Sequence, residues 1–493
     1  MVIFRADDHS STSLNPGMPE VTVFDNSNIQ KCYSGVTTPL TFSFTKRAHA
    51  TVYRQTMKRL ALPPKTIGQT EEIIQNLLGL VKGRIFYNTN NWYKGLKLLP
   101  SFRQNKKDME RLMGFTESLD LEEEQPDNFL ARCKRIPAVI ANLSRLLIAF
   151  YKLKKEVPNF LAQKAEYYKA FYRLDFDKMS IDELKAEKEK LDINLSYDAS
   201  IPIINDFYVM MTTGSVARNL KRAGIESPEE FLNLLLSVDH SSTSLQPAKH
   251  LHRLALLAAA QPELKMLISR LPDDVHEQIK YRFREFFSEV DEFIAMFGDR
   301  AIGELKLETH TMRQSPMVFY TYLRDCLNAQ LSEIRGGNQS EFRALNELNK
   351  KLKSIHFFHK KWTLRKLSKL QNAIGYREIF KLERSRMIGM YRTIYTALGK
   401  RFEQNSWIGC ESDVFYLTEE EIFSSGNGNE YQFKHVIETR KKEFESFRAE
   451  QVPSRVIMLY PSISGSIIDE NLKLPVADKS ASEVPDFEFG QAS

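Results

Sequence analysis

Cysteine is scarce in this chain: four residues, Cys32, Cys133, Cys326 and Cys410, in 493. They stand too far apart for a zinc knuckle or a redox pair and are too few for a secreted disulfide scaffold. Reduced thiols in a cytoplasmic protein are the expectation. Phe4, Arg5, Asp7 and Asp8 lack the basic-then-apolar pattern of a signal peptide. Long hydrophobic runs are missing too. The most apolar stretch, residues 136–151, is interrupted by Asn142, Ser144 and Arg145, which predicts a core helix and no membrane association. Charge of one sign is also lacking: the net charge is +6, small for this length and silent about partners.

Catalytic signatures are mostly absent as well. There is no Gly-x-x-x-x-Gly-Lys-Ser/Thr loop to cradle phosphates, no Gly-x-Gly-x-x-Gly turn and no His-Glu-x-x-His. His250 and His252 face apart on a helix. His356 and His359 have helical spacing but no carboxylate or cysteine to complete a metal site, so no metal is expected. Alternating strands and helices of the barrel kind are not visible either.

What is present is enough apolar material for a large core, 42% of residues with 11% aromatic. Amphipathic periodicity at three- and four-residue steps predicts helices over about 45–62, 70–82, 84–99, 128–153, 158–174, 182–192, 203–223, 228–237, 247–269, 273–297, 316–334, 339–371, 374–404 and 430–450. Val21-Thr22-Val23-Phe24 is a β-prone piece of an extended entry segment, and the strand candidates are short and peripheral: Phe415-Tyr416-Leu417, Val456-Ile457-Met458 and Asp486-Phe487-Glu488-Phe489-Gly490. Ser, Asp, Pro and Gly accumulate over 461–485 as in a linker. The expected fold is mainly α: an extended N-terminal segment (1–40), a multi-helix central domain (41–455) and an irregular C-terminal linker (456–493). The segment Asp8-His9-Ser10-Ser11-Thr12-Ser13-Leu14 recurs unchanged at 239–245 and reads as two polar loops.

Charge is unevenly spread. Residues 343–401 carry 16 Lys and Arg against Glu347, Glu378 and Glu383, a local +13 that leaves −7 elsewhere. Such a helical face suits a phosphate-bearing substrate, nucleic acid or an acidic partner, or is simply solvated. Two constellations are sharper. Gly298-Asp299-Arg300-Ala301-Ile302-Gly303-Glu304-Leu305-Lys306-Leu307-Glu308 places charges at a glycine-marked helix end, as in a buried Arg–carboxylate network or a substrate contact. Arg384-Ser385-Arg386, with Arg377 and Arg392, offers an anion clamp or pairing with acids of neighbouring helices.

These residues bring a known family into view. Asp25-Asn26-Ser27-Asn28-Ile29, then Ser34-Gly35-Val36-Thr37-Thr38-Pro39-Leu40-Thr41-Phe42-Ser43-Phe44, Gly83-Arg84-Ile85-Phe86-Tyr87-Asn88 with Trp92-Tyr93, the Gly298 constellation, and Arg384-Ser385-Arg386 through Asp413-Val414-Phe415-Tyr416-Leu417-Thr418 resemble the phosphoenolpyruvate synthase (pyruvate, water dikinase)/rifampicin phosphotransferase-like family. The likeness runs over roughly residues 23–493. It implies three parts: an ATP-grasp domain, a helical middle, and a swivelling domain whose histidine carries the phosphoryl group. This sequence resembles the middle, and residues 486–490 resemble the first strand of the swivelling domain. No Gly-Gly pair followed by Ser/Thr-x-His-Ala is found. Thr45-Lys46-Arg47-Ala48-His49-Ala50 imitates that motif without its glycines, so His49 reads as an ordinary helix residue.

The resemblance implies the acceptor-binding or scaffold part of an ATP-dependent phosphotransferase, not catalytic as this chain alone. ATP and magnesium would belong to ATP-grasp and phosphohistidine domains on separate chains. A small-molecule acceptor larger than pyruvate, apolar or amphipathic, is expected in preference to pyruvate. Its expected lining is Thr38, Pro39, Tyr87, Trp92, Tyr93, Arg300, Glu304, Arg384 and Arg386. Nucleic acid is not expected as a partner in this reading; the alternative is a stand-alone helical binding protein that uses its basic helical face to dock an acidic partner or nucleic acid.

Overall fold

A computed structural model describes residues 2–5, 21–97, 106–107, 109–110, 129–222, 225–240, 246–301, 303–329, 357–426, 428 and 430–459. The strand expected at 486–490, the linker at 461–485, the first copy of the heptapeptide, His356 and the side chains of His359 and Cys133 lie outside that description. Among the described residues the fold is mainly α. In chain order it runs β1 (Val2–Arg5), β2 (Val21–Asp25), α1 (Pro39–Arg59), α2 (Pro64–Gln69), α3 (Glu71–Gln75), β3 (Leu78–Val81), β4 (Arg84–Asn88) and α4 (Thr89–Leu96). The long helices follow: α5 (Phe129–Phe171), α6 (Ile181–Asp198), α7 (Ser200–Arg222), α8 (Pro228–His240), α9 (Gln246–Ala259), α10 (Pro262–Arg270), α11 (Val275–Arg282), α12 (Arg284–Phe297), α13 (Pro316–Asn328) and α14 (Phe357–Gln404). The described chain closes with α15 (Glu419–Ser424), α16 (Phe433–Ala449) and β5 (Arg455–Leu459).

The strands form one five-stranded sheet in the order β1-β5-β2-β4-β3. β1 and β5 are parallel, and the other neighbours are antiparallel. The boundary drawn at 455/456 thus falls inside β5, which pairs with β2 along its whole length, Val456 opposite Phe24 and Ile457 opposite Val23. Two expected helices are corrected. The apolar residues at 78–81 and 85–86 form a hairpin, because Lys82 and Gly83 both take positive φ, 48° and 67°, as a tight two-residue turn requires. Phe415-Tyr416-Leu417, expected as a strand, lies in and just after a short 3₁₀ helix, Glu411–Tyr416.

The helices expected at 128–153 and 158–174 are one helix, α5, continuous through Pro158. A proline inside a helix costs about 3 kcal/mol, and buried Leu153, Val157 and Phe160 on one face offset it by packing on Ile201, Ile204 and Phe380. Helix α14 is the spine of the molecule. Leu367 and Leu370 pack with α7 and α8, Phe380 packs with α5, and Ile388 to Phe402 enter the largest core with Leu40, Phe44, Leu305 and Val414.

Candidate functional site

The first turn of α1 is held by a carboxylate from a distant loop. Thr38 stands at the N-cap with Pro39 next to it, and Glu308 accepts from Thr38 N–H (3.2 Å), Thr38 Oγ1 (2.9 Å) and Thr41 Oγ1 (2.5 Å). A carboxylate there satisfies otherwise orphaned helix donors. Lys306 donates to the Val36 carbonyl at 2.6 Å, and Arg392 donates to the carbonyls of Glu304, Lys306 and Leu307. Arg300 pairs with Glu304 at 3.0 Å. Arg386 pairs with Glu383 at 2.6 Å and donates to the Met296 carbonyl. Thr38, Pro39, Arg300, Glu304 and Arg386 are therefore members of networks that tie loops to helices. Tyr93 donates to Glu110 at 2.8 Å and is buried among Met109, Met210 and Leu96.

The remaining three expected residues, Tyr87, Trp92 and Arg384, come together. Tyr87 and Tyr53 each meet the Trp92 ring edge-to-face, with centroids 5.1 and 5.4 Å away. On one side of this aromatic partition lies an apolar cavity of about 80 Å³. Met57, Leu60, Ile74, Leu77, Leu96 and Phe207 contribute to its walls, with Asn142 and Arg145 as polar neighbours. On the other side lies a cationic cleft between α1, α7, α14 and β4. Arg377 pairs with Asp206 at 3.2 Å and Lys381 with Glu378 at 2.7 Å. Arg384, one turn further along α14, makes no hydrogen bond or ion pair with any described residue. Its side chain is exposed to water yet lies within electrostatic reach of Cys32, Tyr33, Asp206 and Tyr87, as in an open, wet cleft.

The electrostatics follow from that geometry. Burial works against the charge of Arg384, but Cys32, Tyr33, Asp206 and Tyr87 outweigh it and hold the guanidinium pKa above its ordinary value. Burial raises the Asp206 carboxyl, with Arg377, Arg384 and Lys381 opposing. Burial pushes the Tyr33 hydroxyl up to about 12 and raises Tyr53 and Tyr87. The residue that sequence reasoning passed over is His49. It lies one turn before Tyr53 on α1, its Nδ1 sits 3.2 Å from the Thr45 carbonyl, and burial together with nearby Arg384 pushes its pKa down to about 4. Its spacing to Tyr53 was legible; its nearness to Arg384 was not.

Chemically the site combines an apolar anchor, an aromatic wall and an unpartnered cation. Such a set suits a ligand with an apolar body and an anionic or phosphoryl-accepting end. No described helix is long and apolar enough to cross a membrane. Comparison with known proteins bears on the same elements. Residues 200–378 match the rifampicin phosphotransferase fourth domain, a span that contains Asp206 and Arg377 but not His49, Trp92 or Arg384. A rifampicin phosphotransferase of Bacillus cereus is 25% identical over 251 residues, which are 48% of this chain and 28% of that protein. Both matches support a resemblance of the middle region of this chain to the phosphoenolpyruvate synthase/rifampicin phosphotransferase-like family.

Proposed function

We propose that this chain supplies the acceptor-binding and scaffold part of an ATP-dependent phosphotransferase of that family, working in the cytoplasm. ATP, magnesium and the phosphohistidine carrier would be supplied outside these 493 residues, on ATP-grasp and phosphohistidine units that partner it. The observation that carries this reading is Arg384. It is a guanidinium free of hydrogen bonds to described residues, so its donors are available to a ligand anion, and it stands near an aromatic partition and an apolar cavity. In phosphoryl transfer the protein contributes mainly positioning and cationic stabilisation, which this arrangement would provide. The cavity volume admits only an apolar group of a few carbons, since a cavity of about 150 Å³ is what benzene fills. The acceptor would therefore anchor one apolar group there and lay its polar end across the cleft.

Rifampicin is the first acceptor to test, because the relative is named for it. Titration calorimetry of the chain with rifampicin should show saturable binding that Arg384→Ala weakens at least tenfold, roughly 1.4 kcal/mol. Equal affinity in the variant would refute the role given to Arg384. A second reading, docking of an acidic partner, draws on one observation: burial and the like charge of Arg218 both lower the Lys366 pKa, on a face with exposed Trp362, Arg365 and Lys369. Association that weakens steeply with salt would favour it.

A further inference from the structure

We infer that His49 is the group that accepts the hydrogen bond, and then the proton, of the acceptor hydroxyl during phosphoryl transfer. This rests on the acceptor-binding reading above and adds a role that the sequence pattern does not assign.

The argument starts from the helix. His49 and Tyr53 are four residues apart on α1 and so share one face, and Tyr53 walls the apolar cavity. An acceptor anchored beneath Tyr53 and Trp92 therefore points its polar end toward His49 and Arg384. The backbone carbonyl of Thr45 can only accept, so the Nδ1 atom 3.2 Å away carries the hydrogen and Nε2 carries the lone pair. No described residue donates to Nε2. The ring is half-buried and neutral at physiological pH, which keeps the lone pair available. Asp206, the other base in the cleft, is already engaged by Arg377.

The step balances. The bond from the donor's imidazole nitrogen to phosphorus breaks, with its electron pair remaining on nitrogen, and the acceptor oxygen forms the new bond to phosphorus. The hydroxyl proton passes to Nε2 of His49 and from there to water in the cleft. Arg384 faces the phosphoryl oxygens. A loose transition state asks little of base strength, so a weakly basic but correctly placed imidazole serves. The charged group that acts on the ring is Arg384 of α14; Arg384 in turn interacts with Asp206 of α7, Tyr87 of β4, and Cys32 and Tyr33 ahead of α1, and Asp206 with Arg377 and Lys381 of α14.

Inorganic phosphate tests the arrangement without any donor unit, because hydrogen phosphate presents oxygens to a guanidinium and one O–H to an imidazole nitrogen. With ring-¹⁵N histidine in the full chain, His49 should appear as the neutral Nδ1–H form, and millimolar phosphate should shift its Nε2 resonance. Arg384→Ala should abolish that shift. H49Q, whose Oε1 can still accept, should keep phosphate affinity within about threefold, whereas H49F should lose it about tenfold, both with unchanged circular dichroism. An Nε2 resonance indifferent to phosphate, or an Nε2–H form, overturns the inference. If that happens while rifampicin still binds in an Arg384-dependent way, His49 falls and the acceptor-binding reading stands. Loss of Arg384 dependence for rifampicin alone would overturn the reading and not the phosphate site.

Discussion

Replacing Glu308 with alanine separates a structural role from a substrate role for Thr38 and Pro39. The carboxylate receives three hydrogen bonds, from Thr38 N–H, Thr38 Oγ1 and Thr41 Oγ1, and lies 3.4 Å from Lys306. Thr38 and Thr41 are buried, at 2% and 0% exposure, so water cannot readily replace what is removed. The hydroxyls can turn to other acceptors, but the Thr38 amide cannot. One stranded buried donor costs roughly 1–3 kcal/mol, and a charge-assisted bond is about twice a neutral one, so a loss of about 3 kcal/mol is expected for Glu308→Ala. Glu308→Gln keeps one acceptor oxygen and should lose about 1 kcal/mol. Native-state hydrogen exchange at the Phe42 amide, which donates to the Thr38 carbonyl at 3.1 Å, reads the opening of this turn. Exchange there should accelerate on the order of 10²-fold in the alanine variant, with acceptor affinity little changed. Acceleration below about threefold, accompanied by lost acceptor binding, would refute the reasoning and return Thr38 to the substrate site.

Three further outcomes follow from packing and charge. Gly399→Ala places a methyl against the Glu411 carbonyl and Val414, a backbone clash that should destabilise by about 1–3 kcal/mol. Gly375→Ala, with nothing nearby, should instead gain up to about 1 kcal/mol; melting temperatures moving in the same direction would contradict this. Glu419 and Asp192 share Lys188, at 2.6 and 2.9 Å. Burial works against both carboxylates, but hydrogen bonds from Arg47 and Tyr391 and the charges of Arg47 and Lys188 hold both pKa values below the ordinary range. Their contribution is therefore complete above the unfolded carboxylate pKa, near 4, and is lost as pH falls through the lower folded values. Lys188→Met should flatten this acid dependence of the melting temperature and lower it at neutral pH, by an amount equivalent to about 3–5 kcal/mol; an unchanged acid limb would count against the network.

The sequence announced its long helices through period, while the capping boxes of Ser180 with Glu183 and Thr418 with Glu421 were legible signals left unused, and the short helix after Thr418 was missed. It misled where apolar residues were dense. Ile85 and Phe86 fit a helical stripe as well as a strand, and only the positive φ at Lys82 and Gly83 decides for the hairpin. Pro158 argued for a break that burial of Val157 and Phe160 overrides. For the candidate site, Tyr87, Trp92 and Arg384 were legible as aromatic and cationic members of a motif. That Thr38 belongs with Glu308, 270 residues away, was not, because long-range pairing leaves no local trace. His49 was dismissed for its helix, and that same helix carries it into the cleft.

Helix α14 also fixes something about length. It contributes Leu370 to one core, Phe380 to a second, Leu382 beside a third and Ile394 to a fourth, and each must face its own neighbours. Adding or deleting one residue rotates everything beyond it by about 100°. A single such change between Leu370 and Ile394 would turn one set of side chains into the wrong surroundings, whichever end held its place. Arg384 would swing away from the cleft at the same time. Loops elsewhere can lengthen freely, but for α14 the number of residues is as constrained as their identity.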